Sequence, residues 1–441
     1  MTTALQRTSI PQRVLVSVGL SLFFFVVYGA CQAVTAARTG IPSFYFSWER
    51  RIPFVAATII PYLSIDLFFI AAPLLITTDR QLRAHAIRVI TAISVAAVFF
   101  LTLPLKFAFA RPDVPGTIGF VFQLFQHADM PFNQLPSLHI ALLVIVGEVF
   151  LRRTRGGLKM VLAIWFGLIA VSPVLVYQHH LIDLVAGLAL GLICLNVINE
   201  HGQQPAFERN LRVGAYYSTA ALALAAISVW VGKASWWLWW PALSLALVAA
   251  GYFWIGPALY AKRNGQLPWA TRLLLGPTLL GQHASLWWYA RRSRPYDVVT
   301  DRLWIGRTLT RVEATTARIA GVGAVIDLTC EFTEPAALRT LAYLHVPTLD
   351  LTAPTQAEIV QAIRFARHHG ETTIVYLHCK AGYSRTAVIA ASYLITTSRA
   401  GSVDEAIECL LHARPGLIVR TEARRAIEIY HLTVTKMTKE A

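Results

Sequence analysis

Cysteine is scarce in this chain. There are five in 441 residues, at 31, 194, 330, 379 and 409, with no CxxC pair and no metal-ligand spacing. That excludes a disulfide framework and leaves no metal and no cofactor to expect. Charge is scarce too: Asp, Glu, Lys and Arg make up 14% of the residues and hydrophobic ones 56%. The net charge is +15, yet dense basic tracts set among polar residues are missing, so no nucleic-acid partner is expected. "GVGAVID" (321–327) lacks the third glycine of a dinucleotide fingerprint.

What remains is apolar sequence in long runs. Mean hydropathy is +0.53, the balance of a multi-pass membrane protein whose basic residues collect in loops. Runs of spanning length fall at roughly 14–36, 53–77, 89–105, 137–151, 160–177, 180–199, 212–231 and 236–256. The first exceeds a signal-peptide core and more follow, so a retained helix is expected. "WWLWWP" (236–241) reads as an interfacial aromatic belt, and 273–290, with Gly, Pro, Gln and His, as an interfacial helix. Loop charges favour an inside N-terminus: Arg7, Arg13, Arg80, Arg83, Arg88, Arg152, Arg153, Arg155 and Lys159 fall inside, then Lys262, Arg263 and Arg291 to Arg294. Fewer fall outside, and with them the 113–130 loop. The expected setting is an integral protein of a bacterial inner membrane.

After Pro295 the pattern changes to that of an α/β domain. "GAVIDLT" and "TTIVYLHC" read as buried strands, "QAEIVQAIRFARHH" and "SVDEAIECLLHA" as amphipathic helices. The expected architecture is therefore a helical membrane domain over 1–290, with about eight spans, and an α/β domain with a central sheet over 296–441. An even number of spans places the second domain in the cytoplasm.

In "VYLHCKAGYSRTAVIAASYL" (375–394) a strand pattern passes through a short loop into a helical one. Backbone N–H groups of such a loop and helix start converge on an anion. Gly382 permits a close or left-handed backbone, and Arg385 offers a planar fork for two phosphate oxygens. A thiolate at Cys379 would attack phosphorus, giving a cysteinyl phosphate that water removes, with Thr386 donating to the leaving thiolate. A buried core cysteine does not explain glycine, arginine and threonine at these offsets.

With His378 these residues complete HCxxGxxR[ST], and 297–435 resembles the Cys-based dual-specificity phosphatases. The resemblance implies a phosphate-binding loop formed by His378, Cys379, Gly382, Arg385 and Thr386, and an upstream acid that protonates the leaving oxygen. "HVPTLDLTAP" offers Asp350 for that acid, 29 residues before Cys379; Asp327, at a strand end, matches a structural position of the family. Lys380 adds a second cation, as in members acting on phosphoinositides or phosphatidylglycerophosphate, and the stretch resembles the mitochondrial-type phosphatidylglycerophosphate phosphatases.

Ionisable groups at membrane depth form a second cluster: "KFAFARPD" (106–113), "LPSLHIA" (135–141) and "YQHHLIDLVAG" (177–187). His179 and Asp183 are four apart, spaced to share a helix face, and an imidazole oriented by a carboxylate is a nucleophile toward phosphorus. His139 would protonate the leaving alcohol, while Lys106, Arg111 and Ser137 hold phosphate oxygens; His180 is a weaker candidate. The region 55–200 resembles the type-2 phosphatidic acid phosphatase superfamily, in the branch of inositol-phosphorylceramide and sphingomyelin synthases. It departs from that pattern in the closer spacing of Lys106 and Arg111, in Leu138 for glycine, and in Ser172-Pro173 where a phosphate-binding arginine is absent.

Two functions of different class follow. One is a bifunctional membrane phosphatase of phospholipid metabolism, whose second site hydrolyses or transfers lipid phosphate through a phosphohistidine. The other is a phosphoprotein phosphatase anchored by an inactive membrane domain. The expected partners are a phospholipid or phosphoprotein substrate and membrane lipids.

Overall fold

The computed structural model describes residues 7–128, 130–198, 200 and 206–440. The chain divides into two compact units, Met1–Gly202 and Gln203–Ala441.

The first unit is helical: α1 (Ile10–Ala36), α2 (Ile59–Leu75), α3 (Asp79–Thr102), α4 (Gly116–Ala128), α5 (Leu138–Arg153), α6 (Gly156–Leu175) and α7 (Leu181–Val197). Local chemistry sets the ends. Ser9 and Gln12 form a capping box on α1, Thr78 caps α3 and Ser137 caps α5. Residues 113–130, expected as a loop, contain α4. α5 and α7 approach closely because Gly187 carries no side chain: a Cβ there would stand 2.3 Å from the Ser137 carbonyl oxygen. Leu20, Phe69, Val89, Ile93, Ile145 and Val146 form its largest buried cluster.

The second unit begins with helices α8 (Leu211–Val231), α9 (Trp239–Ala250), α10 (Trp269–Leu274) and α11 (Gly276–Ala290). The segment expected to lie at the interface is the end of α10 and α11. It packs along α9, where Ser244 and Thr278 hydroxyls meet at 2.9 Å and the Trp240 indole donates to the Leu273 carbonyl. Among the described residues, five helical stretches are long and apolar enough to cross a membrane: Ile10–Ala36, Ala56–Leu75, Asp79–Thr102, Gly156–Leu175 and Leu211–Tyr260. α5 and α7, read as spans, are 16 and 17 residues long and fall short of that length.

A five-stranded mixed sheet follows: β1 (Tyr296–Thr300), β2 (Leu303–Arg307), β3 (Val322–Thr329), β4 (Ala342–Thr348) and β5 (Ile374–Cys379), in the order β1-β2-β5-β3-β4. β1 is antiparallel to β2 and the remaining pairs are parallel. Strand alternation divides the core. Leu303, Ile305, Ala324, Ile326, Val375 and Leu377 pack with α14 (Gln356–Gly370), α15 (Ser384–Thr396), α16 (Val403–Ala413) and α17 (Thr421–Glu440). Val325 and Tyr376 pack with α12 (Arg311–Ile319) and α13 (Ala336–Arg339). β5 is paired on both sides, and its C-terminal end delivers Cys379.

The domain border expected near residue 295 does not coincide with the division by packing, which groups α8 to α11 with the sheet. A buried ion pair is one reason: Lys262 Nζ, after α9, stands 2.5 Å from Asp327 Oδ2 and also donates to the Thr329 carbonyl.

Candidate active site

The loop between β5 and α15 turns on Gly382, whose φ is +71°. A Cβ there would meet the Gly306 carbonyl carbon and oxygen at 2.4 Å, so the site requires glycine for both conformation and space. The loop is tied to β2 by two bonds: the Thr308 hydroxyl donates to the Cys379 carbonyl and the Thr308 N–H to that of Lys380. Cys379 is buried at the strand end, and Arg385 and Thr386 open α15. The Thr386 hydroxyl is buried and has no hydrogen-bond partner among the described residues.

Arg385 is held from three directions. Its guanidinium meets Glu331 at 2.7 and 3.3 Å, donates to the Thr348 carbonyl at 2.9 Å and reaches Asp350 Oδ1 at 3.2 Å. Burial opposes its charge, but Glu331 and Asp350 outweigh that and keep it protonated well above the ordinary range. Lys380 Nζ donates to Asp350 Oδ2 at 2.6 Å and to Gln282 Oε1 at 3.0 Å. Asp350 thus stands between both cations of the loop. Burial favours its neutral form, but Arg385 and Lys380 hold the carboxyl at about 2. A phosphate dianion that drew these cations away would raise it, as an acid needs.

His378, expected among the substrate-binding residues, is a core residue at the end of β5. It is fully buried, stacked on Tyr376, with Nε2 3.1 Å from Glu334 and 3.8 Å from Asp327. Burial disfavours its charge, but Glu334 and Asp327 raise it to about 9. Asp327 is a core carboxylate, accepting from Lys262, the Tyr343 hydroxyl and Thr329. Ligand atoms of Asp327, Glu334 and His378 lie within 4.8 Å of one another, a spacing a metal could use. Lys262 already supplies the cation on Asp327.

Sequence reasoning missed Glu331, Glu334 and Gln282. Their signal was weak, since "CEFTEP" reads as a polar turn and Gln282 stands among apolar residues of another segment.

The first unit gathers a second group. His179 Nδ1 lies 3.6 Å from Asp183 Oδ2, both buried. The shared helix face is corrected: His179 precedes α7, His180 is its N-cap, and Asp183 accepts the His180 N–H at the helix start. Arg111 donates to the Tyr177 carbonyl at 3.1 Å and to the Gln178 side chain. Ser137 donates its N–H to the Asp183 carbonyl. His139 stacks on Tyr62 at 4.4 Å. Lys106 is exposed, its N–H bonded to the Pro42 carbonyl. Glu49, not foreseen, is buried 3.0 Å from His180 Nδ1 and accepts from the Leu181 N–H. His179, His180, Glu49, Phe107 and Tyr177 close around one tightly packed pocket.

A buried cysteine at a strand end, a glycine-dependent turn, a fixed guanidinium and a carboxyl between two cations define a cysteine-dependent phosphomonoesterase. The dual specificity phosphatase catalytic domain matches residues 303–430. The Arabidopsis thaliana phosphatidylglycerophosphate phosphatase PTPMT2 is 30% identical over 173 residues, 36% of this chain and 71% of that protein. The mouse phosphatidylglycerophosphatase and protein-tyrosine phosphatase 1 is 34% identical over 94 residues, 21% of this chain and 48% of that one. The chain therefore spans about half the length of that mouse relative. The crystal structure of PTPMT1 in complex with PI(5)P covers 33% of this chain and 99% of its own, at 23% identity and a TM-score of 0.30. The chain belongs, through its C-terminal part, to the dual-specificity phosphatases, with relatives of the PTPMT type. The phosphatase match lies in that C-terminal part, over residues 303–430.

Proposed function

We propose that the protein is a membrane-embedded phosphatase of phospholipid metabolism. Its C-terminal site removes phosphate from a lipid monoester: Cys379 attacks, Arg385 and the loop N–H groups hold the phosphoryl oxygens, and Asp350 protonates the leaving alkoxide. Thr386 then donates to the departing thiolate. The observation that carries the lipid reading is the seating of the site against apolar helices. Gln282 of α11 bonds Lys380, and Asn210, at the start of α8, donates to the Leu351 carbonyl. A headgroup presented at a membrane surface would enter there.

Relatives bearing phosphatidylglycerophosphatase and protein-tyrosine phosphatase names make phosphatidylglycerophosphate the first lipid to try and a phosphotyrosine peptide the contrast. The test is phosphate release by the full chain from both, each presented with vesicles. Preference for the lipid supports the reading; preference for the peptide contradicts it.

The five apolar stretches support integral insertion, and the loop charges support a cytoplasmic C-terminal site. A second reading concerns the first unit: His179 as nucleophile toward a lipid phosphate, with Asp183 orienting it, His139 as acid, and Lys106, Arg111 and Ser137 as phosphate ligands. The buried His179–Asp183 pair beside Arg111's partners supports it. His179→Ala should abolish any lipid phosphate release or exchange that survives Cys379→Ser, and retention of that activity would exclude the reading.

A further inference from the structure

The loop that carries Asp350 is held from outside the phosphatase fold. The Tyr252 hydroxyl, just after α9, donates to the Asp350 carbonyl at 2.8 Å. Asn210 Nδ2, at the N-cap of α8, donates to the Leu351 carbonyl at 2.8 Å. The Glu208 carboxylate accepts the Ala353 N–H at 2.8 Å. Three consecutive attachments therefore bind residues 350–353 to the helical segment that precedes the sheet. Between the first two, Leu351 has φ +60°, the left-handed region that a leucine adopts only when its surroundings fix it. Tyr252 is buried and stacks on Tyr217 at 5.8 Å, so its hydroxyl comes from a rigid support.

We propose that Tyr252 and Asn210 are positioning residues that set the acid of the phosphatase reaction from the apolar helices. The helical segment then does more than anchor the enzyme: it completes the acid half of the site, while the cysteine half is built within the sheet domain. The chemistry explains the division. Cys379 and Arg385 are placed by β5 and the start of α15, with Glu331 on the guanidinium, and α11 reaches the same loop through Gln282 on Lys380. Asp350 follows β4 in a turn whose own backbone is strained, and a small displacement of a proton donor is costly in rate.

This inference rests on Asp350 being the acid, and the experiment separates the two claims. The full chain is assayed with two soluble phosphate monoesters, an aryl one whose leaving group needs no proton and an alkyl one that does. Asp350→Asn is the reference and should slow the alkyl ester selectively. Tyr252→Phe, which keeps the ring stack, and Asn210→Ala should each lower kcat on the alkyl ester by about tenfold and leave the aryl ester within about twofold. In Asp350→Asn background, Tyr252→Phe should add nothing further, because a misplaced acid and an absent acid are one loss. Equal slowing of both esters by Tyr252→Phe, no slowing at all, or full additivity with Asp350→Asn would overturn the inference. If Asp350→Asn slows both esters alike, the acid assignment itself falls and takes the inference with it.

Discussion

The two histidine- and cysteine-bearing clusters of this chain are built by opposite means. Around Cys379 each functional group faces a formal charge: Arg385 faces Glu331, Lys380 faces Asp350, and His378 faces Glu334. Around His179 the fixing groups are mostly rings, caps and neutral donors. His139 lies on Tyr62, Ser137 caps α5, Arg111 rests on a carbonyl and an amide, and His180 stacks on Phe107 at 4.3 Å. The Arg385–Glu331 and His378–Glu334 pairs are themselves buried, so each charge there depends on its partner; in an apolar helix bundle an unpaired charge is likewise costly. The buried His179–Asp183 and His180–Glu49 pairs are the exceptions, each setting one carboxylate beside one imidazole. In the helical unit these buried histidines thus sit beside single carboxylates, not among clusters of cations.

That contrast can be broken at graded cost. Cys379→Ser should lower phosphate release from a soluble aryl phosphate on the order of 10⁴-fold or more, measured on the full chain, because the covalent route is lost. A serine variant retaining a tenth of the activity would end the cysteine account. Next comes Gly382→Val, which adds bulk against Gly306 at a left-handed backbone position. It should cost about 10²-fold or more by displacing the N–H groups that hold the phosphoryl oxygens; near-normal kcat would show that the loop can relax.

Lys380→Met removes one of the two cations that depress Asp350. The carboxyl should rise from about 2, so the alkaline limb of the kcat–pH profile on an alkyl phosphate should move to higher pH. A limb that stays in place would assign it to another group. His378 gives a smaller effect, on stability alone. Its folded value, about 9, lies above the ordinary value for histidine. The stabilisation is therefore complete below about pH 6.5 and is lost as pH rises through about 9. Thermal unfolding followed from pH 7 to about 10 should show a falling Tm that His378→Asn flattens; parallel profiles would remove the ion pair from the account.

Much of the second unit was legible because its signals are local. Short apolar runs gave β3 and β5, and the loop's spacing gave Cys379, Gly382 and Arg385 as one group. What was not legible depends on distant pairing. Lys262 belongs to a segment read as a basic loop, yet it neutralises Asp327, and that pairing joins α8 to α11 to the sheet. Glu331 and Glu334 stand in a turn, and only the return of β5 beside β3 brings them to Arg385 and His378. In the first unit, His179 and Asp183 were read as one helix face because spacing cannot show where a helix begins; the chain starts α7 one residue after His180. Glu49 was hidden for a similar reason, as a carboxylate in "SWERR" reads as a solvated charge until the fold buries it against His180.

The central claim is a phosphoryl group carried by Cys379. Rapid quenching of the full-length Asp350→Asn chain during turnover of an aryl phosphate, followed by mass spectrometry of its peptides, tests it most directly. The account predicts one phosphoryl group on the peptide holding Cys379, because an aryl leaving group departs without the acid and leaves the phosphoryl group on sulfur until water removes it. It also predicts the loss of that group in the Cys379→Ser, Asp350→Asn double variant. Phosphate release without any modified Cys379 peptide, or with the label on a histidine peptide alone, would contradict it.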